Sequence, residues 1–380
     1  MSDSIFWDQV PPDESSRADN TSLDYYPTKA IISLTSRCNL CCWHCRHRLN
    51  PEAGIDAPKK LLDYVIENIL PFCKSLRIGG ANVGKPLLAE NFNYFLKSLN
   101  FPTLKEILLI TNLTLLDEEK ANLICQKIDF ITVSLEGTED NYTYTRGYPW
   151  QGFLEKLKLL SRARRNYPKK NQICLTVCTF LKNLDNLPKL LDLERGLADK
   201  IVLRDFHAWE DDKKKDLLVN DKERVLAFIE RFEKKAKDVG MPVEIQFKNR
   251  FISHDEKTKR KGKIKNCYFP WTCISIGESG QMSPCCSIEE LARLVNYNEN
   301  FLDIWNSEPF KKLRRTVNSE NPMHSCLVCD IKTGELSIED FNRLVSKKTG
   351  LFRKIIKNKF LRQNLRFLRK ILPEKLLNRL

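Results

Sequence analysis

Lys29-Ala30-Ile31-Ile32-Ser33-Leu34-Thr35-Ser36-Arg37-Cys38-Asn39-Leu40-Cys41-Cys42-Trp43-His44-Cys45 is the stretch on which the reading of this chain turns. Its first seven residues are a short apolar run, the pattern of a buried strand. Its last eight hold four thiols, Cys38, Cys41, Cys42 and Cys45, too many for packing alone. Soft thiolates at such spacing ask for a metal ion or a metal cluster.

Outward from this stretch the same rhythm repeats. Strand candidates fall at Lys29–Thr35, Ser75–Ile78, Glu106–Thr111, Phe130–Leu135, Gln172–Thr179 and Lys200–Arg204. Between them, Pro58–Leu70, Glu90–Leu99, Glu118–Lys127, Phe153–Arg165 and Asn186–Gly196 carry apolar residues three or four apart, and Asp221–Asp238 follows as another amphipathic helix. Strands alternating with helices predict right-handed crossovers and a parallel sheet, either doubly wound or an incomplete (β/α) barrel. Chemistry then belongs at the carboxyl ends of the strands, which is where the cysteine loop stands.

The domain reading is a polar lead-in over 1–28, the α/β unit over 29–240, a charged connector over 241–266 with a strand candidate at Pro242–Phe247, a cysteine-rich module over 267–335, and a basic tail over 336–380. With little room for a core, the cysteine-rich module reads as a loop-rich piece stapled by metal. Fourteen cysteines without a signal-peptide pattern at the N-terminus point to a reducing, cytoplasmic setting. No apolar run is long enough to span a bilayer. Cys73, Cys125, Cys174 and Cys178 lie singly or in apolar runs and read as small core residues. From Phe341 to Leu380 there are thirteen Lys and Arg against one acid, so this tail carries +12 of the +14 net charge.

Cys38, Cys42 and Cys45 form Cys-x3-Cys-x2-Cys. Three thiolates on a [4Fe–4S] cube leave one iron without a protein ligand, the open position that a catalytic site needs. The alternative is a zinc knuckle built from the back-to-back pairs Cys38-x2-Cys41 and Cys42-x2-Cys45. Leu34-Thr35-Ser36-Arg37-Cys38-Asn39-Leu40 with Cys42-Trp43-His44-Cys45 resembles the signature loop of the radical S-adenosylmethionine (SAM) superfamily. The resemblance implies a partial (β/α)6 TIM-like barrel, a SAM-binding [4Fe–4S] cluster on Cys38, Cys42 and Cys45, and hydrogen-atom abstraction by a 5′-deoxyadenosyl radical. It puts His44 against the adenine and leaves Cys41 as a spare thiol.

Further along, Gly79-Gly80-Ala81-Asn82-Val83-Gly84-Lys85-Pro86-Leu87-Leu88 resembles the superfamily's Gly-Gly-Glu-type turn, with Lys85 where an acid is expected. A lysine cannot accept a hydrogen bond, so carbonyls near Gly79 and Gly80, or the Asn82 amide, are left to meet the cofactor's ammonium. Thr111-Asn112-Leu113 resembles Thr-Asn-Gly. Ser134-Leu135-Glu136-Gly137 and Arg146-Gly147 resemble its Ser-x-Asp-Gly and Arg-Gly elements. These imply Ser134 near the ribose or carboxylate and Arg146 pairing the cofactor carboxylate through its planar fork.

Cys267, Cys285, Cys326 and Cys329 supply four thiols, and spacing alone admits zinc or an iron–sulfur cluster equally. Cys267-Tyr268-Phe269-Pro270-Trp271, Gly280-Gln281-Met282-Ser283-Pro284-Cys285-Cys286 and Cys326-Leu327-Val328-Cys329 resemble the SPASM module. That implies one auxiliary [4Fe–4S] cluster on these four, with Cys273 and Cys286 outside the ligand set.

In the tail, Phe352, Ile355, Ile356, Phe360, Leu365, Leu368 and Leu372 recur at helical spacing between Lys and Arg. Residues 351–372 read first as a basic amphipathic helix for an anionic membrane surface, with docking on its own protein and partner binding as rivals. No RNA-binding motif supports a nucleic-acid reading. The functional expectation is a cytoplasmic radical SAM enzyme, peripheral on the inner membrane face, with no catalytic side chain assigned. It would be reduced by a protein such as ferredoxin or flavodoxin and would act on a peptide or protein, or on a small molecule such as a sugar. The alternative is a non-catalytic iron–sulfur or zinc protein recruited through its tail.

Overall fold

The first strand lies inside a ten-stranded sheet, with neighbours on both sides. The structure, a computed structural model, describes residues 21–49, 54–79, 84–167, 171–251, 266–285, 287–288, 290–327 and 329. In chain order the elements are β1 (Lys29–Ile32), α1 (Lys59–Asn68), β2 (Ser75–Ile78), α2 (Phe92–Ser98), β3 (Glu106–Thr111), α3 (Glu118–Lys127), β4 (Phe130–Leu135), α4 (Glu139–Arg146), α5 (Trp150–Arg164), β5 (Gln172–Thr179), β6 (Lys200–Asp205), α6 (Lys222–Val239) and β7 (Val243–Ile245). There follow α7 (Lys248–Phe251), α8 (Phe269–Thr272), β8 (Cys273–Ile276), β9 (Gln281–Ser283), β10 (Ala292–Arg293), α9 (Phe301–Trp305) and α10 (Glu308–Thr316).

The sheet runs β10-β9-β8-β1-β2-β3-β4-β5-β6-β7; β8, β1 and β2 through β7 are parallel to one another, while β9 is antiparallel to both β8 and β10. This is the α/β, TIM-like partial barrel expected. It is open, since β10 and β7 are its two edges. Burial alternates along the central strands. Ile131, Val133 and Leu135 of β4, and Ile173, Leu175 and Val177 of β5, are fully buried. Thr132, Ser134, Cys174, Thr176 and Cys178 line the other face and are only partly buried, which makes that face a polar lumen. Helix starts follow local chemistry: Asp117 accepts from Lys120 N at 2.8 Å before α3, and Asp221 accepts from Arg224 N at 3.1 Å before α6.

Two expectations change. Asn186–Gly196 forms no α-helix; Leu187–Asp192 is a 3₁₀ run opening on a proline, and Leu193 is extended. Asn183 and Asn186 strap this segment to the end of β4, through Glu136 O at 3.0 Å and Thr138 N at 2.7 Å. The cysteine-rich segment also does not stand apart. Its β8 is buried at every position and pairs in register with β1, Lys29 opposite Cys273 and Ile32 opposite Ile276. Trp271, Trp305 and Phe310 are buried in the common core. The strand that carries the first cysteine loop is thus flanked by the strand that follows Cys267. Among the described residues no helix is long and apolar enough to cross a membrane. The basic segment 351–372 lies outside the described residues.

Candidate functional site

Beyond Ile32 the chain rises off the sheet and is clamped at its entry. Arg37 holds Asp56 with both arms of its fork, Nε to Oδ1 at 2.9 Å and NH2 to Oδ2 at 2.5 Å, and donates to Leu88 O at 3.2 Å. Gly84 packs so tightly that a Cβ there would lie 1.8 Å from Thr35 O, so only glycine lets the turn after β2 close on the cysteine loop. Lys85 N then donates to Arg37 O at 2.9 Å. Asn39 is held by Thr114 Oγ1 at 2.9 Å and by the Asn112 amide at 3.0 Å. Leu113, in the place of a glycine, takes the left-handed conformation at φ 67° and is fully buried. Its packing must offset that backbone strain. On the far side, Trp43 N donates to Thr145 O at 2.8 Å and ties the loop to α4.

The loop brings three thiols together within electrostatic reach of one another, Cys38, Cys42 and Cys45. Cys42 is buried, Cys38 and Cys45 are half-buried, and Cys41 is exposed. Burial pushes the Cys42 thiol up to about 11, against the pull of Arg146. His47 N donates to Cys45 Sγ at 3.4 Å. Lys85, the residue standing where an acid was expected, lies within electrostatic reach of all three thiols, which counter the downward effect of burial on its ammonium. A three-thiolate metal cluster brings negative charge, and the donor set and these cations fit it.

His44 sits on the same loop with Nε2 3.3 Å from Glu136 Oε1, and its buried Nδ1 has no hydrogen-bond partner among the described residues. Burial pulls its pKa down to about 4, against the effect of Glu136, so the ring is neutral at physiological pH. Gly79 closes β2 at φ 85°, its N donating to Ile32 O at 2.8 Å. Ser134 is on the lumen face near the carboxyl end of β4, in register with Thr176. Gly80 and Asn82 lie outside the described residues.

Arg146 stands between Glu136 and the cysteine loop. Its fork is occupied within the protein: Nε and NH2 both donate to Glu136, the second at 2.7 Å, and NH1 donates to Cys42 Sγ at 3.7 Å. The side chain is only 3% exposed. Glu136 was legible as the acid of Ser-Leu-Glu-Gly but had been given no partner; it faces both Arg146 and His44. A wall that spacing did not reveal stands beside the loop. Trp43 packs on Phe180 and Phe206, with ring centroids 5.0 and 5.6 Å away, and Lys182 and Lys213 lie 5.1 and 5.4 Å from its ring.

The second cysteine group lines a single cavity. Cys267, Cys285, Cys326 and Cys329 share it with Phe269, Pro270, Ile288 and Val317. Asn318 clamps Cys267, accepting from its N at 2.8 Å and donating to its O at 3.0 Å. Gly280, at φ 80°, makes the turn from β8 to β9, where a Cβ would lie 2.5 Å from Leu294 O. Cys273 is buried within β8 and is not among the cavity's lining residues; Cys286 lies outside the described residues. Four soft donors in an apolar wall fit a closed iron–sulfur cluster.

Comparison with known proteins agrees with this division. A family profile described as the radical SAM superfamily matches residues 32–193, and one described as the SPASM iron–sulfur cluster-binding domain matches residues 267–330. The chain is 26% identical over 303 residues to the antilisterial bacteriocin subtilosin biosynthesis protein AlbA of Bacillus subtilis, covering 76% of this chain and only 61% of that relative. It is 26% identical over 349 residues to an AdoMet-dependent heme synthase of Methanosarcina barkeri, covering 80% of this chain and 89% of the relative. Its fold resembles Streptococcus suis SuiB bound to S-adenosylmethionine, at a TM-score of 0.56 and 14% identity over 80% of this chain and 71% of SuiB. SuiB has also been seen bound to the precursor peptide SuiA. The chain therefore carries a radical SAM domain followed by a SPASM iron–sulfur cluster-binding domain, whose cofactors are SAM, the SAM-binding [4Fe–4S] cluster and auxiliary iron–sulfur.

Proposed function

We propose that this chain is an enzyme that cleaves SAM reductively and modifies a peptide, with Cys38, Cys42 and Cys45 holding the open cluster and Cys267, Cys285, Cys326 and Cys329 holding one auxiliary [4Fe–4S] cluster. The observation that carries this reading is positional. Three thiols stand at the carboxyl end of β1, in the middle of a parallel sheet, where such folds place their chemistry. When bound, the SAM-loaded cluster supplies a carbon-centred oxidant able to take a hydrogen atom from substrate.

The protein's own contribution is placement. The Arg37–Asp56 clamp and the Asn39–Asn112–Thr114 bonds fix the loop; Lys85 and Arg146 set positive charge against its thiolates. His44 would offer a neutral ring face to the adenine, Ser134 and the backbone at Gly79 would border the cofactor, and Gly80 and Asn82 are proposed as further cofactor contacts on the resemblance of their sequence alone. The substrate enters the open lumen over β4 to β6, between Ser134, Thr176, Cys178 and the Trp43–Phe180–Phe206 wall. A peptide is favoured because AlbA is named for bacteriocin biosynthesis and SuiB holds a precursor peptide. The match to a heme synthase over most of both chains favours a second reading, a small-molecule substrate on the same site.

Anaerobic reconstitution tests this. About eight irons per chain are expected, from two [4Fe–4S] clusters. With reductant and SAM, 5′-deoxyadenosine should form, faster when a peptide encoded beside this chain is added, and the peptide should change in mass. Bound zinc, or both clusters without SAM cleavage, overturns the reading. Stimulation by a small molecule in place of any peptide selects the second one.

Electrons would come from a protein such as ferredoxin or flavodoxin. The basic segment 351–372 would hold the enzyme to the anionic inner face of the membrane, in the cytoplasm. Flotation with anionic liposomes checks that placement: the full chain should float and a chain ending at Lys348 should sink, the difference fading as salt is raised. Equal flotation of the two refutes it.

A further inference from the structure

Arg146 closes α4 directly against the cysteine loop, one residue after the Thr145 carbonyl that receives Trp43 N. Two of its nitrogens are committed to the two oxygens of Glu136, itself 1% exposed, and this fixes the plane of the guanidinium. The remaining nitrogen, NH1, donates to Cys42 Sγ at 3.7 Å. Cys42 is the most deeply buried of the three thiols, so this contact is made where water screens it least. Burial works against the charge on Arg146, yet Glu136 and Cys42 together hold its pKa above the ordinary arginine value. A guanidinium cannot give up its proton, so the positive charge and the N–H donor are permanent features of that sulfur's surroundings.

We propose that Arg146 is a positioning residue for the open cluster, anchored by Glu136 so that its third nitrogen hydrogen-bonds the Cys42 sulfur and raises the cluster's reduction potential. This rests on the assignment of Cys38, Cys42 and Cys45 as cluster ligands. The physical basis is general: hydrogen bonds to ligand sulfurs and nearby charge stabilise the more negative, reduced cluster. Lys85 supplies a second cation to the same three thiols but has no hydrogen bond to any of them among the described contacts. It should therefore shift the potential without affecting one sulfur more than the others.

The test is an EPR-monitored redox titration of the reconstituted full chain, wild type against Arg146→Lys, Arg146→Met and Glu136→Gln, with SAM binding measured by equilibrium dialysis. The open cluster is the one whose signal changes when SAM is added. Arg146→Met should make its reduction about tenfold less favourable, about 59 mV for a one-electron couple. Arg146→Lys, which keeps the charge but not the fork, should lower the potential by a smaller step than Arg146→Met; Glu136→Gln removes a nearby negative charge and keeps an acceptor for the fork, so it should not lower the potential. The auxiliary cluster should not move. If Arg146→Met does not fold, the other two variants still decide. An unmoved open-cluster potential with weakened SAM binding would assign Arg146 to the cofactor and overturn the proposal. Equal shifts of both clusters would reduce it to a general structural effect. A wild-type chain with no SAM-responsive signal would fail at the ligand assignment instead.

Discussion

Replacing Cys38, Cys42 and Cys45 together by Ala is expected to abolish 5′-deoxyadenosine formation and to halve the iron content, from about eight to about four per chain. Cys42 is buried and Cys38 and Cys45 are half-buried, whereas Cys41 is exposed. So Cys41→Ala should leave iron and cleavage unchanged, which separates a ligand role from general thiol loss. Of the single variants, Cys42→Ala should also cost the most apo-protein stability, because it leaves Arg146 NH1 without its sulfur acceptor in a buried site. Iron assay, Mössbauer spectra and product chromatography read these outcomes. Unchanged iron in the triple variant, or lost iron in Cys41→Ala, would sink the assignment.

How far the sequence told this in advance depends on which interactions are local. The six barrel strands were legible because each is a short run rich in apolar residues set between stretches of helical period, a local pattern. The Cys-x3-Cys-x2-Cys spacing and the glycines of the turn after β2 were legible because they answer to short-range geometry. β8 was not. Cys273-Ile274-Ser275-Ile276 is four residues long, stands inside a cysteine-rich segment, and gains its place only by pairing with β1, far away in the chain. α4 was missed because Glu139-Asp140-Asn141-Tyr142-Thr143-Tyr144-Thr145-Arg146 has no apolar period; it buries Tyr142, Thr145 and Arg146.

Arg146 shows the limit most clearly. Its presence before Gly147 was readable, and so was an acid at Glu136. That the fork would close on this acid, leaving one nitrogen for Cys42, depends on where α4 lands relative to the loop. Lys85 is similar. As a letter it is a departure from the expected acid; in space it is a cation placed against three thiols.

The largest expected stability effect lies away from the chemistry, at Arg314. This guanidinium is 3% exposed on α10 and donates to three backbone carbonyls from three parts of the chain: Nε to Pro270 O, NH1 to Thr21 O and NH2 to Trp305 O, each at 2.9 Å. It also lies over the Trp305 ring, 4.5 Å from the centroid. Burial pulls its pKa down to about 10, still far above neutrality, so the side chain stays charged. Arg314→Met keeps much of the apolar contact but removes every donor. Pro270 and Trp305 then present carbonyls to a dry core, while Thr21, partly exposed, can rehydrate. Charge-assisted hydrogen bonds contribute about 1.5–3 kcal/mol each, and an orphaned buried acceptor costs a similar amount, so a loss of about 3 kcal/mol is expected. Arg314→Lys should recover less than half, since one ammonium cannot reach three carbonyls held in a fork's geometry. Urea unfolding of the metal-free chain measures this, and a change under about 1 kcal/mol would refute the role. Pro270 lines the second cysteine cavity and α8 leads directly into β8, so the loosening should reach the four-thiol site first and the β1 loop through their shared edge. Reconstituted Arg314→Met should therefore lose auxiliary-cluster iron before SAM-responsive iron; the reverse order would mean that β8 does not transmit the change.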